Sequence, residues 1–174
     1  MTTSAAQIGA IDEAREATAL LESLIGRSCW YASHGESVGA TFSLAFGKKV
    51  QRKHPLQNEA HRSDFRHYEG EYALYVWCTW RLDGPDAPIS SSDDTHDRIG
   101  RALGSLIEKK VLAICRDLPG WDLRIDFSGG LVLRLFCDHV DGDPSFSGNW
   151  ELCTPGRTVV IDVNSKCRVA REVG

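Results

Sequence analysis

One stretch, Asp122 to Phe136, does most to restrict what this chain can fold into. Leu123, Ile125 and Phe127 alternate with Asp122, Arg124 and Asp126, and after Ser128-Gly129-Gly130 a second apolar run, Leu131 to Phe136, continues around Arg134. Alternation sends successive side chains to opposite faces of a strand, and adjacent glycines tolerate the positive φ of a tight turn. The stretch therefore reads as an antiparallel β-hairpin with one buried face.

Other segments repeat the pattern in shorter form. Cys29 to Ala32 and Thr41 to Phe46 read as strands, with His34-Gly35-Glu36-Ser37 as the turn between them. Glu71 to Leu82 carries Tyr72, Leu74, Val76, Cys78 and Trp80 on one face and Ala73, Tyr75, Trp77 and Thr79 on the other, as a strand buried on both sides in mid-sheet would. Lys110 to Cys115, Asn149 to Cys153, Thr158 to Val163 and Cys167 to Ala170 extend the set, broken by Gly or Pro. Two segments have helical spacing instead. Residues 8–25 place Ile8, Ile11, Ala14, Thr18, Leu21, Leu24 and Ile25 on one face before Gly26, and residues 94–108 follow the capping run Ser90 to Asp94 with Ile99, Leu103, Leu106 and Ile107. The expectation is an α+β fold over residues 1–174 as a single domain. It has one largely antiparallel sheet of about seven to nine strands, two main helices packed to one side, and a β-rich C-terminal part over 110–170.

With 174 residues the chain can bury a substantial core, and its 42% hydrophobic and 25% charged residues are those of a globular protein. Met1 to Ala10 lacks the charged and apolar regions of a secretory signal, and no apolar run is long enough to span a bilayer, so a soluble, cytoplasmic protein without membrane contact is expected. The six cysteines form no CxxC pair and are expected to be reduced thiols. A net charge of −4 disfavours nucleic acid as the partner of the whole surface and suits a basic partner. Charge is unevenly spread. The basic loop at 48–67 holds Lys48, Lys49, Arg52, Lys53, Arg62 and Arg66 against Glu59 and Asp64, either as a solvated excursion or as an interaction loop. RNA binding there would need aromatic residues among the cations, and only Phe65 and Tyr68 are at hand.

No Walker loop, GxGxxG, GxSxG, HExxH or zinc-finger spacing occurs, so no catalytic residue, cofactor or metal is assigned. His54, His61 and His67 match no compact ligand spacing and have cationic neighbours. Two acidic clusters remain. Asp93, Asp94 and Asp97 stand at the start of the second helix, where carboxylates complement the helix dipole, and Asp138, Asp141 and Asp143 lie in a turn-rich segment. Together they are candidates for a face that binds a cationic protein.

The order Trp80-Arg81-Leu82-Asp83, Ser91-Ser92-Asp93-Asp94, Phe127-Ser128-Gly129-Gly130-Leu131 with Arg134, Phe136 and Asp138, then Asn149-Trp150, resembles a set of small bacterial α+β proteins, some of which are taken to be immunity proteins of toxin systems. The resemblance spans about residues 71–155 and implies a cytoplasmic protein that blocks one cognate toxin without catalysis. It assigns no functional residue. The reading that follows is a non-enzymatic protein-binding module, possible immunity included. The alternative is a small-molecule-binding protein or hydrolase with a pocket lined by His, Asp and Trp.

Overall fold

The computed structural model describes residues 5–35, 41–140 and 148–171. In chain order these form α1 (Ala5–Glu22), β1 (Cys29–His34), β2 (Phe42–Gln51), α2 (Ser63–His67), β3 (Tyr68–Val76), β4 (Thr79–Asp83), β5 (Pro88–Ser91) and α3 (His96–Gly104). There follow β6 (Val111–Asp117), β7 (Asp122–Phe127), β8 (Leu131–Phe136), β9 (Trp150–Thr154), β10 (Arg157–Ile161) and β11 (Cys167–Arg171).

The strands form two antiparallel sheets, a six-stranded one in the order β1-β2-β3-β9-β10-β11 and a five-stranded one in the order β5-β4-β8-β7-β6. This corrects the expectation of an α+β fold with a single sheet and two main helices on one side. The described residues are mostly β, with eleven strands and three α-helices. The correction has a physical cause in residues 72–82. Tyr72, Leu74, Val76, Cys78, Trp80 and Leu82 are all buried, so the alternation runs unbroken, yet the chain changes sheet in its midst. Trp77 and Cys78 are paired with neither sheet, and both their N–H groups donate to the Asn149 carbonyl, at 2.9 and 3.1 Å. One long strand by pattern is thus two strands joined at a corner, with the same parity kept through the bend. The opposite face of this run is not buried throughout, for Tyr75 and Thr79 are exposed.

The hairpin of β7 and β8 has the bounds the alternation predicts, and Gly129 and Gly130 take φ of +83° and +75° in its turn. The basic segment is only partly a loop. Lys48 to Gln51 complete β2 after a bulge at Gly47, and Ser63–His67 form the one-turn helix α2. The first helix ends at Glu22 rather than Ile25, where Leu24 and Ile25 switch to tight bonds onto Leu21 and Glu22. The second main helix occupies His96–Gly104 within the expected 94–108, leaving Asp94 in the turn before it.

The sheets cross. Ser28, just before β1, bridges Lys110 at the start of β6, whereas the far end of β6 turns through Trp121, whose carbonyl accepts the indole N–H of Trp150 on β9 at 3.1 Å. Inner faces meet in one core that contains Trp80, Trp150, Phe46 and Phe127 at 0–1% exposure, and each such side chain contributes about 1.5–3 kcal/mol of burial. Helix α3 lies against β1 and β5, and α1 against β11 and β6, so the helices cover the edge strands of both sheets. No helix among the described residues is long and apolar enough to cross a membrane.

Candidate functional site

A bulge builds the floor of the site. Cys29 pairs with Phe46 and Tyr31 with Ala45, so Trp30 is the extra residue, and beyond it Tyr31 and Ser33 fall on the outer face of the six-stranded sheet. The segment after β2 folds back over that face, tied by Arg52 N–H to His67 O and Leu56 N–H to Arg66 O, each at 2.9 Å. Phe65 of α2 stacks on Tyr31 with ring centroids 3.8 Å apart and planes within 9°. The Tyr31 hydroxyl and His61 Nδ1 share a hydrogen bond of 3.1 Å. Much of the basic charge is spent locally. Lys49 sits over Trp30 and pairs with Asp64, Arg62 also pairs with Asp64, and Arg52 covers Phe65 and pairs with Glu69.

From the other side α3 brings its first residue, His96, against His34 at the end of β1, with the two Nε2 atoms 3.1 Å apart. Gly100, one turn along α3, makes this approach possible, because a Cβ there would lie 2.8 Å from His34 Cε1. Between His96 and the folded-back segment opens a cleft of about 480 Å³, lined by Tyr31, Ser33, His34, Asn58, His61, Arg62 and His96. A second depression of about 250 Å³ shares His34 and His61 with it and is lined further by Ser43, Tyr75, Val76 and Trp77. Tyr75 and Trp77 are stacked at its wall, 6.3 Å between centroids, Tyr75 exposed and Trp77 half-buried.

The acidic residues singled out in the sequence fare differently. Asp138 is exposed at the end of β8, and its carboxylate accepts from the Thr79 N–H at 3.2 Å and from the Thr79 hydroxyl, which sets it beside the Trp77–Cys78 corner. Asp93 and Asp97 are exposed on either side of the start of α3, next to His96. Asp94 instead accepts from the Ser91 N–H at 2.9 Å and the Ser90 hydroxyl at 3.0 Å, and these bonds with the Arg98 charge hold its carboxyl below the usual carboxylate range. It fastens the turn that launches α3. Asp141 and Asp143 lie outside the described residues. Asp93, Asp97 and Asp138 thus stand at the same end of the two sheets as the cleft, an arrangement no local sequence pattern encodes.

All six cysteines are free thiols. Burial pushes the Cys29 thiol up to about 12 and Cys167 up to about 11, while a hydrogen bond with Cys137, together with burial, pushes Cys78 up. These three stay protonated and are poor nucleophiles. Burial alone would raise Asp64 and Asp83, but hydrogen bonds and charges from Lys49 and Arg62 on the first, and from Arg81 and Arg134 on the second, outweigh it and hold both carboxyls low. Neither is poised as a general acid. No group of three or more His, Cys, Asp or Glu side chains among the described residues is placed to hold a metal ion.

Sequence reasoning misses His34, His96, Tyr31, Tyr75 and Trp77 as a set. His34 reads as a turn residue and the aromatics as core. The one local signal is Gly100, a glycine inside an amphipathic helix, which costs about 1 kcal/mol relative to alanine and so marks a close approach. A comparison with known protein families, with curated proteins and with solved structures finds no match to this chain.

Proposed function

We propose that this chain is a non-catalytic binding module that captures one protein partner with a basic surface through the cleft end of the molecule. The observation that carries the reading is a coincidence of two features at that end. Stacked aromatic side chains, Tyr75 and Trp77, wall a concave surface, and exposed carboxylates stand close to its lining residues, Asp138 bonded to Thr79 two residues past Trp77 and Asp93 and Asp97 flanking His96, which meets His34. Aromatic anchors at the centre of a contact supply most of its energy, and a charged rim governs encounter rate and partner choice. Six free thiols fit a reducing compartment, which supports placing the protein in the cytoplasm. The resemblance to immunity proteins would make the partner a toxin and the function its blockade.

The test uses the products of genes adjacent to this one, with binding measured by calorimetry at low and high salt. A cognate partner should lose at least tenfold affinity to a Tyr75→Ala/Trp77→Ala variant. An Asp93→Asn/Asp97→Asn/Asp138→Asn variant should bind more slowly and with a weaker salt dependence. A partner that binds both variants as tightly as the native chain would remove this end of the molecule from consideration. The volume of the cleft also suits a small organic ligand, and this second reading predicts one saturable ligand held by Tyr31 and His61.

A further inference from the structure

We propose that the cleft of about 480 Å³ is a site for the phosphate group of a small organic phosphate ester. The inference gives the chemistry of the small ligand that the cleft's volume suits, and it rests on that second reading. Capture of a basic protein by the acidic rim stands or falls separately.

The chain has 24 Asp and Glu residues against 20 Lys and Arg, yet among the described residues the cleft lining holds Arg62, His34, His61 and His96 and no carboxylate. Guanidinium and imidazole groups are the donors an oxyanion needs, and Asn58 and Ser33 add an amide and a hydroxyl. Counter-charge is short as well. Lys49 and Arg62 share the one carboxylate of Asp64, at 3.1 and 2.8 Å, so a positive charge is left over beside the cleft. It is felt at the cleft floor, where burial pushes the Tyr31 hydroxyl up and the Arg62 charge is the strongest influence the other way.

The donors stand on three sides. Ser33 and His34 end β1, His96 begins α3, and Asn58, His61 and Arg62 belong to the folded-back segment. A phosphate ester offers three acceptor oxygens arranged as a pyramid and suits such an enclosure, whereas a carboxylate offers two in one plane. The walls are also set in advance. An ordinary ring hydrogen bond of 3.1 Å between His34 and His96 ties β1 to α3, and the Tyr31 hydroxyl holds His61 at 3.1 Å, which lowers the ordering cost of binding. Thr95 gives α3 no side-chain cap, so the positive end of that helix lies uncapped at His96. Asp93 and Asp97 flank His96 and oppose an anion, but both are exposed to screening by solvent and neither lines the cleft.

Inorganic phosphate is titrated into the full-length protein at constant pH and ionic strength, and the ring proton resonances of the six histidines are followed by NMR. His34, His61 and His96 should shift together and saturate with one dissociation constant, while His54, His67 and His139 stay in place. Phenyl phosphate should do the same, at least tenfold more tightly than phenol. Arg62→Gln should weaken phosphate binding at least tenfold, and Arg62→Lys, which keeps the charge without the planar fork, should weaken it less. The proposal is overturned by an Arg62→Gln/His96→Gln variant that circular dichroism shows folded and that binds phosphate with native affinity. It is overturned equally by acetate that shifts the three rings at the same concentrations as phosphate. Shifts with phenol but not with phosphate overturn it while keeping the cleft as a ligand site, and no shift with any of these probes overturns it together with the reading it rests on.

Discussion

Asp83 is gripped by two arginines at once, Arg81 through Nε and Nη2 at 2.7 and 3.2 Å and Arg134 through Nε at 2.9 Å. Register makes the need plain. Arg81, Arg134 and Arg124 stand directly opposite one another on β4, β8 and β7, and like charges so placed repel. Asp83 and, on the other flank, Asp126 separate them. Replacing Asp83 by Asn should cost about 1–2 kcal/mol in a urea titration, less than a fully buried pair would, because the arginines are a third or more exposed and solvent screens them. The carboxyl titrates lower in the folded chain than unfolded, so its contribution is complete above the unfolded value of about 3.9 and disappears as pH falls through the folded one. The stability difference between native and Asp83→Asn protein should therefore be flat near neutrality and shrink below about pH 4. At this scale the sequence shows which residues are charged but not which charges meet. Asp94 and Asp93 are neighbours, yet one closes a turn and the other faces water, and His34 finds His96 only after β1 and α3 have been brought together by the core.

Among the elements, the corner at Trp77–Cys78 depends on one residue far along the chain. Asn149 is fully buried, receives both corner N–H groups on its carbonyl, accepts the His139 N–H at 3.1 Å through its side-chain oxygen, and donates to the Asp162 carbonyl at 2.9 Å. Its side chain ties the strand entering β9 to the segment leaving β8 and to the end of β10. Asn149→Ala leaves the His139 amide and the Asp162 carbonyl without that partner and should lower stability by about 1–3 kcal/mol, measured by denaturant titration with an unchanged slope. The β7–β8 hairpin is legible because its alternation, turn glycines and partner strand are all local. The β3–β4 corner is not, because apolar parity is the same on either side of it and the bond that bends the chain comes from Asn149. The basic segment misleads for a related reason. Its cations are neutralised or stacked by Trp30, Asp64, Phe65 and Glu69, two of which lie outside the charge run itself.

For the whole molecule, the difference between one sheet and two is a difference in what covers the apolar faces. Composition supplies enough Leu, Ile, Val and aromatic residues for either arrangement, and only the crossing of the sheets decides which faces meet. The five-stranded sheet uses one continuous stretch, Thr79 to Phe136, plus the turns and α3 within it. The six-stranded sheet is assembled from two separated pieces, β1 to β3 and β9 to β11. Among the described residues the chain leaves the six-stranded sheet at 77–78, and the residues that flank its return, Asp138 and His139 after β8 and Asn149 before β9, bond to Thr79, to each other's segment and to the Trp77 N–H at that same end. A protein docked there should slow amide hydrogen exchange in β3 and β4 on one side and in β8 and β9 on the other, strands that a partner touching one sheet alone would not protect together. Exchange measured by mass spectrometry with and without a cognate partner distinguishes these patterns. In this arrangement the proposed binding face is also the seam of the fold. The middle of the sequence is stitched into a sheet made from its two flanks, and anything that grips the seam holds the insertion in its frame, so that occupancy and resistance to unfolding rise together.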